Sequence, residues 1–354
     1  MADHGIDAAG ADAVDGDGAR PIITELRPGV TAELSDAVWS IAWSPSGRLA
    51  ALCADGRVMV DQPDRVTRPM CGAPVAVAWA DDGRVVVSDR QLGLVMAGGG
   101  DHRCHELPRA RHVTAMGERV VAIGGTSVWS LHREVGRPPG LEEPPVLIDA
   151  RCAELHGLAA LTSSLVVVAG TKGVAVVDIA LGVVDTRVEI DGAISVASSP
   201  TTDVVAIGDL GGSIHVLKVG DAEVGRELTG YVDHVRRLGW GDGGGWLVAT
   251  ADDELTCWPV VETGWPAEEP VCCVGHDDPI TALAVGARHD LVVTGDAGGR
   301  LALWSLRVGD VPLHTVDLDG EITAAGWSGD GSRFAVGTVT GTLAVFDAVR
   351  GQLA

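Results

Sequence analysis

The chain has 354 residues, 46% of them hydrophobic, and a formal net charge of −23 from 26 basic and 49 acidic side chains. That balance repels a phosphate backbone, which excludes non-specific nucleic-acid binding as a function class. No apolar run approaches the roughly eighteen residues needed to cross a bilayer, because Gly and Asp interrupt every one, so no membrane role is expected.

Asp3, Asp7, Asp12, Asp15 and Asp17, spaced by Gly and Ala, make residues 1–20 read as a disordered acidic tail, opposite in charge to a secretory leader. Residues 21–354 read as one domain built from repeats. The segment 22–34 alternates like a strand. The first unit, VWSIAWSPSGRLAALCADGRVMVD, has strand-length apolar runs separated by Ser44-Pro45-Ser46-Gly47 and Asp55-Gly56, residues that supply turn conformations. The second, 74–96, repeats it with Trp79 in the place of Trp43 and Asp81-Asp82-Gly83 in the turn. In the third, HVTAMGERVVAIGGTSVWSL, the spacing is compressed, Glu118 stands where the earlier units have Trp, and Trp129 closes the third strand. A Pro-rich connection, 137–145, is too irregular for a strand and is expected to bulge from one end. The fourth and fifth units, 155–178 and 193–218, carry the runs LVVVAG and DVVAIGD. HVRRLGWGDGGGWLVATADDELTCW forms the sixth, 275–305 the seventh, and EITAAGWSGDGSRFAVGTVTGTLAVFD the eighth.

Equivalent first-strand positions fall at Ile41, Val77, Met116, Leu158, Val196, Leu238, Leu283 and Ala325. A period of roughly forty residues with three visible strands predicts an all-β fold, a β-propeller of four-stranded antiparallel blades that bury their faces against one another. Eight blades are counted; seven would follow if the third unit and the Pro-rich connection formed an insertion. The last unit lacks an outer strand, and 22–34 is expected to supply it, closing the ring and removing an exposed sheet edge.

These residues resemble the WD-repeat β-propeller family through Gly275-His276 at the start of a blade, the Ser-Pro-x-Gly turn of the first unit, and third strands ending in Trp129, Trp258 and Trp304. Gly230-Tyr231 holds the Gly-His place in the sixth unit, and Phe346-Asp347 approaches the Trp-Asp pair. The resemblance implies a buried hydrogen-bond set of His, Ser or Thr, Asp and Trp. His276, Thr294 and Trp304 match it, while Gly298 stands at the Asp position, so looser bonding inside the blade is expected.

Asp36, Asp191, Asp233, Asp277, Asp278, Asp319 and Glu321 all precede a blade's first strand. In the family these lead-in loops open at the same end as the second-to-third turns, which add Asp55, Asp209, Asp252, Asp253 and Asp296. One reading is that Asp is simply a favoured turn residue. The sharper reading is an acidic rim that steers a protein partner with a basic surface or peptide. Trp265, in the connection ETGWPAEEP, is expected to be exposed as an interface anchor, and Arg109 lies in a basic segment suited to docking. Trp43, Trp79, Trp240 and Trp327 form one set and Trp129, Trp258 and Trp304 another, both read as inter-blade packing.

Cys272, Cys273 and His276 are close in sequence, but adjacent strand residues point to opposite faces. His102, Cys104, His105 and His112 are interleaved with arginines that oppose a cation. Neither group is taken as a metal site, and no cofactor is expected. No Gly-x-Ser-x-Gly or phosphate-loop pattern occurs, so no catalytic residue is assigned. Seven cysteines in a chain large enough to fold without cross-links suit a reducing cytoplasm. The expected function is a non-enzymatic scaffold, monomeric by itself. The competing class is an enzyme or ligand sensor with a site in the central channel.

Overall fold

Strand character varies with distance from the ring centre, and burial explains the pattern. In the computed structural model, which describes residues 26–67, 72–80, 83–98, 101–107, 109–132, 145–220, 224–286 and 289–348, the seventh blade is typical. Its innermost strand Ile280–Val285 alternates buried and half-buried residues, and Leu291–Asp296 is buried throughout. Arg300–Ser305 is buried beyond its first residue, and the outermost strand His314–Asp317 is only partly covered. The two middle strands are flanked by neighbouring blades on both faces, so they read as continuous apolar runs, whereas the outer strand meets water.

There are eight four-stranded antiparallel sheets. Seven are meanders of consecutive strands. The eighth takes Ile322–Trp327, Arg333–Thr338 and Thr342–Asp347 from one end of the sequence and Pro28–Glu33 from the other, with Thr31 opposite Ala344 and Glu33 opposite Thr342. The expected ring closure is therefore present. Each inner strand touches the next, around to Val38–Trp43 against Ile322–Trp327. The only helical turn among the described residues is Asp242–Gly244.

The compressed third unit is a complete blade, which removes the seven-blade alternative. His112–Met116, Arg119–Gly124 and Ser127–His132 are joined by Val146–Asp149 as the outer strand. Most of the Pro-rich connection 137–145 lies outside the described residues, as does the acidic segment 1–20. The register assigned to this blade needs correction. Val113, opposite Ala122, takes the place of Ile41 opposite Ala51, so Met116 is not the equivalent position. Ala115, not Glu118, stands where Trp43 does. The cause is the first hairpin: only Gly117 and Glu118 join its strands, with Gly117 at φ 58°, so a count from the turn slides along the strand. Trp129 is likewise opposite Ala122, two residues earlier along its strand than Trp258 and Trp304, which lie opposite Leu247 and Val292.

The other tryptophan set joins blades by a repeated bond. Trp43, Trp79, Trp240 and Trp327 each donate the indole N–H to an inner-strand carbonyl of the preceding blade, at Gly326, Ala42, Ala197 and Ala284, over 3.0, 3.0, 3.2 and 3.1 Å. The guanidinium of Arg333 lies 4.9 Å from the Trp43 ring and that of Arg48 4.6 Å from Trp79, while His289 meets Trp327 edge-on at 4.5 Å. Packing, hydrogen bonding and cation–π contact thus act together at these blade junctions.

Candidate functional site

The seventh blade is rigidified from within by four side chains. Trp304 Nε1–H can only donate, so Thr294 Oγ1 accepts it at 2.7 Å, and the Thr294 hydroxyl then donates to His276 Nε2 at 2.6 Å. His276 Nδ1–H donates to Asp296 Oδ2 at 2.7 Å, with both side chains almost fully buried. The missing aspartate is therefore Asp296, two residues before Gly298, and the bonding is complete rather than loose. Gly298 has a different setting: a Cβ there would meet the carboxylate of Asp278, the end of an exposed side chain. In the sixth blade Ala249 replaces Thr294, and Thr256, directly across the ladder from Ala249, provides the hydroxyl. Tyr231 takes the histidine's place, its oxygen accepting from Trp258 Nε1 at 2.9 Å and meeting Thr256 Oγ1.

Rigid blades fix the loops at their ends. In an antiparallel meander the lead-in to the first strand and the turn from second to third strand lie at one end, here called the top. Asp36, Asp191, Asp277, Asp278 and Asp319 are exposed there, and Asp233 and Glu321 are half-buried. Their roles differ. Asp36 and Asp233 each accept the next residue's backbone N–H, at 2.8 and 2.6 Å. Asp191 faces Lys172 at 3.0 Å, Asp277 faces Arg300 at 2.7 Å, and Asp319 accepts from Thr342 Oγ1 at 3.2 Å. The carboxylates occupy the lead-ins of the fifth to eighth and first blades, forming an arc.

The second-to-third turns contribute less free charge than their sequence suggests. Asp209 and Asp296 are buried and accept backbone N–H groups of their own turns, from Gly211 and Ser213 at 2.8 Å each and from Arg300 at 2.8 Å. Burial pushes the Asp55 carboxyl up, but Ser35 and Arg57 more than offset this and hold it below the usual range. Asp252 and Asp253 stay exposed. These turn residues therefore follow the turn-former reading in part.

Arg109 is exposed on the lead-in to the third blade, opposite in sign to the arc. Arg111, Arg151 and Lys172, on the third and fourth blades, share its sign. The top is thus divided into an acidic arc and a mixed, more basic sector. Trp265 is not the freely exposed anchor expected: it is half-buried, filling the space a side chain at Gly225 would need, with Lys218 Nζ 5.8 Å from its ring.

Reasoning from sequence missed the mouth of the channel. At the start of the inner strand in six blades the ladder slips by one residue, leaving Trp39, His156, Thr281 and Thr323 among the unpaired positions. Such bulges re-aim a side chain. Arg111 and Arg236 hold the corresponding places in the third and sixth blades, whose ladders begin one residue later. Thr281 and Thr323 turn to carbonyls of the next blade, Ile322 and Val38. Trp39 instead is 53% exposed, beside the arc. Its signal in the sequence is a tryptophan in the second place of a strand that already has Trp43, three residues after Asp36.

Among the described residues no three His, Cys, Asp or Glu side chains converge as metal ligands. Cys104 lies on an outer strand of the second blade and His112 on the inner strand of the third, while Cys272 is exposed, Cys273 buried and His276 committed to Asp296 and Thr294.

Residues 30–60 and 268–305 match the family model described as WD domain, G-beta repeat. The first stretch begins in the outer strand of one blade and the second just before such a strand, and each continues through the first three strands of the next blade. The crystal structure of the computationally designed Ika8 protein matches the fold with a TM-score of 0.72 at 20% identity, over 89% of this chain and 98% of that one. No curated protein sequence matches the chain. The chain is an eight-bladed β-propeller, two stretches of which match the WD-repeat model, the hallmark of the WD-repeat propeller fold. That fold typically serves as a protein-interaction scaffold.

Proposed function

We propose that this propeller is a non-enzymatic scaffold whose top captures a protein partner through a basic peptide or surface. The observation that carries the reading is the run of carboxylates on five successive blades, Asp191, Asp233, Asp277, Asp278, Asp319, Glu321 and Asp36, ending beside the half-exposed ring of Trp39. Carboxylates on neighbouring loops attract cationic side chains over a Debye length, and an indole face holds a guanidinium or ammonium that has reached it. Arg109, across the channel, favours acidic groups at the partner's other end and so sets its orientation. Six of the cysteines are free thiols in the structure, in keeping with a reducing cytoplasm as the place of action.

The test is fluorescence anisotropy with an array of Lys- and Arg-rich peptides, read at several salt concentrations. The triple variant Asp277→Lys, Asp278→Lys, Asp319→Lys is expected to weaken the best binder by about tenfold or more, equivalent to ~1.4 kcal/mol, and to flatten its salt dependence. Trp39→Ala should cost about 0.5–2 kcal/mol of binding with the salt slope kept. Affinity and salt slope unchanged by the triple variant would remove the arc from the interface.

A further inference from the structure

Inside the acidic arc, the channel itself carries the opposite charge. The innermost strands of the third, fourth and sixth blades place Arg111, His112, His156, Arg236 and Arg237 at its mouth; His112 and Arg237 stand in register with Ser40, Ala76 and Ala282 of other blades, and Arg111, His156 and Arg236 with Trp39, Thr281 and Thr323. Two of these groups are already engaged. Arg111 donates from Nη1 to His156 Nδ1 at 3.2 Å and pairs through Nη2 with Glu154, which fixes the guanidinium on the channel wall and leaves the His156 proton on Nε2. Arg237 is different: among the described residues its guanidinium makes no hydrogen bond or ion pair. Water reaches it along the channel, yet protein encloses it, and that enclosure pulls its pKa down, Arg236 adding to the effect and Glu321 opposing it. His112 is in the same condition. Enclosure pushes the imidazole toward the neutral form, a bond with the His156 backbone works against this, and Arg111, His156 and Arg237 repel a proton from it.

Arg237 is open to channel water, so burial does not demand a partner; what the mouth offers is a guanidinium with five donors and no acceptor beside the like charge of Arg236, a combination that an anion completes. Among the described residues nothing does so, since Glu154 is spent on Arg111 and Glu321 makes no ion pair with Arg237. We propose that the mouth of the central channel is a binding site for a small multivalent oxyanion, held by Arg237 with His112 and Arg111 as further donors. The ligand class is a phosphate- or carboxylate-bearing small molecule. The site adjoins the arc through Glu321, which acts on Arg237, but it is read by anion titration without any peptide, so failure of the one reading is distinguishable from failure of the other.

The experiment is thermal unfolding and calorimetric titration of the full chain with inorganic phosphate, pyrophosphate and citrate, each against sodium chloride at matched ionic strength. Phosphate and pyrophosphate are expected to raise the midpoint in the millimolar range. Citrate acting alike would extend the class to carboxylates, and citrate acting alone would restrict it to them. Arg237→Gln should weaken binding about tenfold or more, whereas Arg307→Gln, on the turn after the third strand of the seventh blade and paired with Asp242, should leave it unchanged. A readout on the unaltered protein removes dependence on the variant's folding: the His112 imidazole resonance, assigned with His112→Gln, should move toward its protonated position as the anion is added. No midpoint shift with any of the three anions, an equal shift in Arg237→Gln, or an unmoved His112 resonance would overturn the site.

Discussion

Replacing Asp296 by Ala tests whether the four-residue relay holds the seventh blade. The carboxylate accepts from His276 Nδ1 at 2.7 Å and from the Arg300 backbone N–H at 2.8 Å, and the side chains of His276 and Asp296 are only 1% and 2% exposed. Alanine orphans both donors where water has little access, and each orphaned buried group costs about 1–3 kcal/mol. The sum is about 2–6 kcal/mol. With a urea dependence of about 3 kcal/mol per molar, the unfolding midpoint should fall by about 0.7–2 M. Because Thr294 links His276 to Trp304, Thr294→Val removes part of the same relay. The double variant should therefore cost less than the two single changes together, by about 0.5–3 kcal/mol. Urea unfolding followed by tryptophan fluorescence on the four proteins measures all three quantities. A loss below about 0.5 kcal/mol for Asp296→Ala, or strict additivity with Thr294→Val, would refute the relay as a cooperative unit.

Two further outcomes follow from the blade junctions and the sixth blade. Trp79→Phe keeps an aromatic ring but deletes the bond to the Ala42 carbonyl, so it should cost about 1–3 kcal/mol, less than the ~3–5 kcal/mol of Trp79→Ala; no loss in Trp79→Phe would show that the bond contributes nothing. Tyr231 is the single tyrosine, and burial pushes its phenol up to about 12, with bonds to Thr256 and Trp258 opposing the rise. A raised folded-state pKa contributes stability that is complete below the ordinary phenol value near 10 and is lost as pH climbs toward 12. The tyrosinate ultraviolet band should thus be absent from folded protein at pH about 10.5, and its early appearance would contradict the buried position.

The architecture was legible because Gly and Asp clusters punctuate strand-length runs in every unit, and because 22–34 alternates with no sheet of its own. Periodicity reports strand number well and register poorly. In the third blade one short hairpin around Gly117 and Glu118 was enough to displace Met116 by three positions from its true counterpart, Val113. The polar relay was legible in three of its four members. The fourth was missed because Asp296 was counted as surface charge, when its depth depends on a turn in which Asp278 lies over Gly298. Trp265 illustrates the reverse error, since a proline-flanked, acidic stretch suggested exposure but Gly225 leaves a recess for the ring. Trp39 and Arg237 were hidden for a common reason: only closure of the circle brings the starts of distant inner strands together, and no local pattern records that convergence.

The pairing of Pro28–Glu33 with Thr342–Asp347 has a consequence for how this molecule is made. Pro28–Glu33 leaves the ribosome long before Thr342–Asp347 and cannot find that partner until it emerges, so it must wait unpaired while seven sheets assemble between them. Such extreme sequence separation slows the final step and leaves an open arc of blades until it occurs. The sealing of that seam, and not the growth of any one sheet, therefore sets when the circle first exists as a whole.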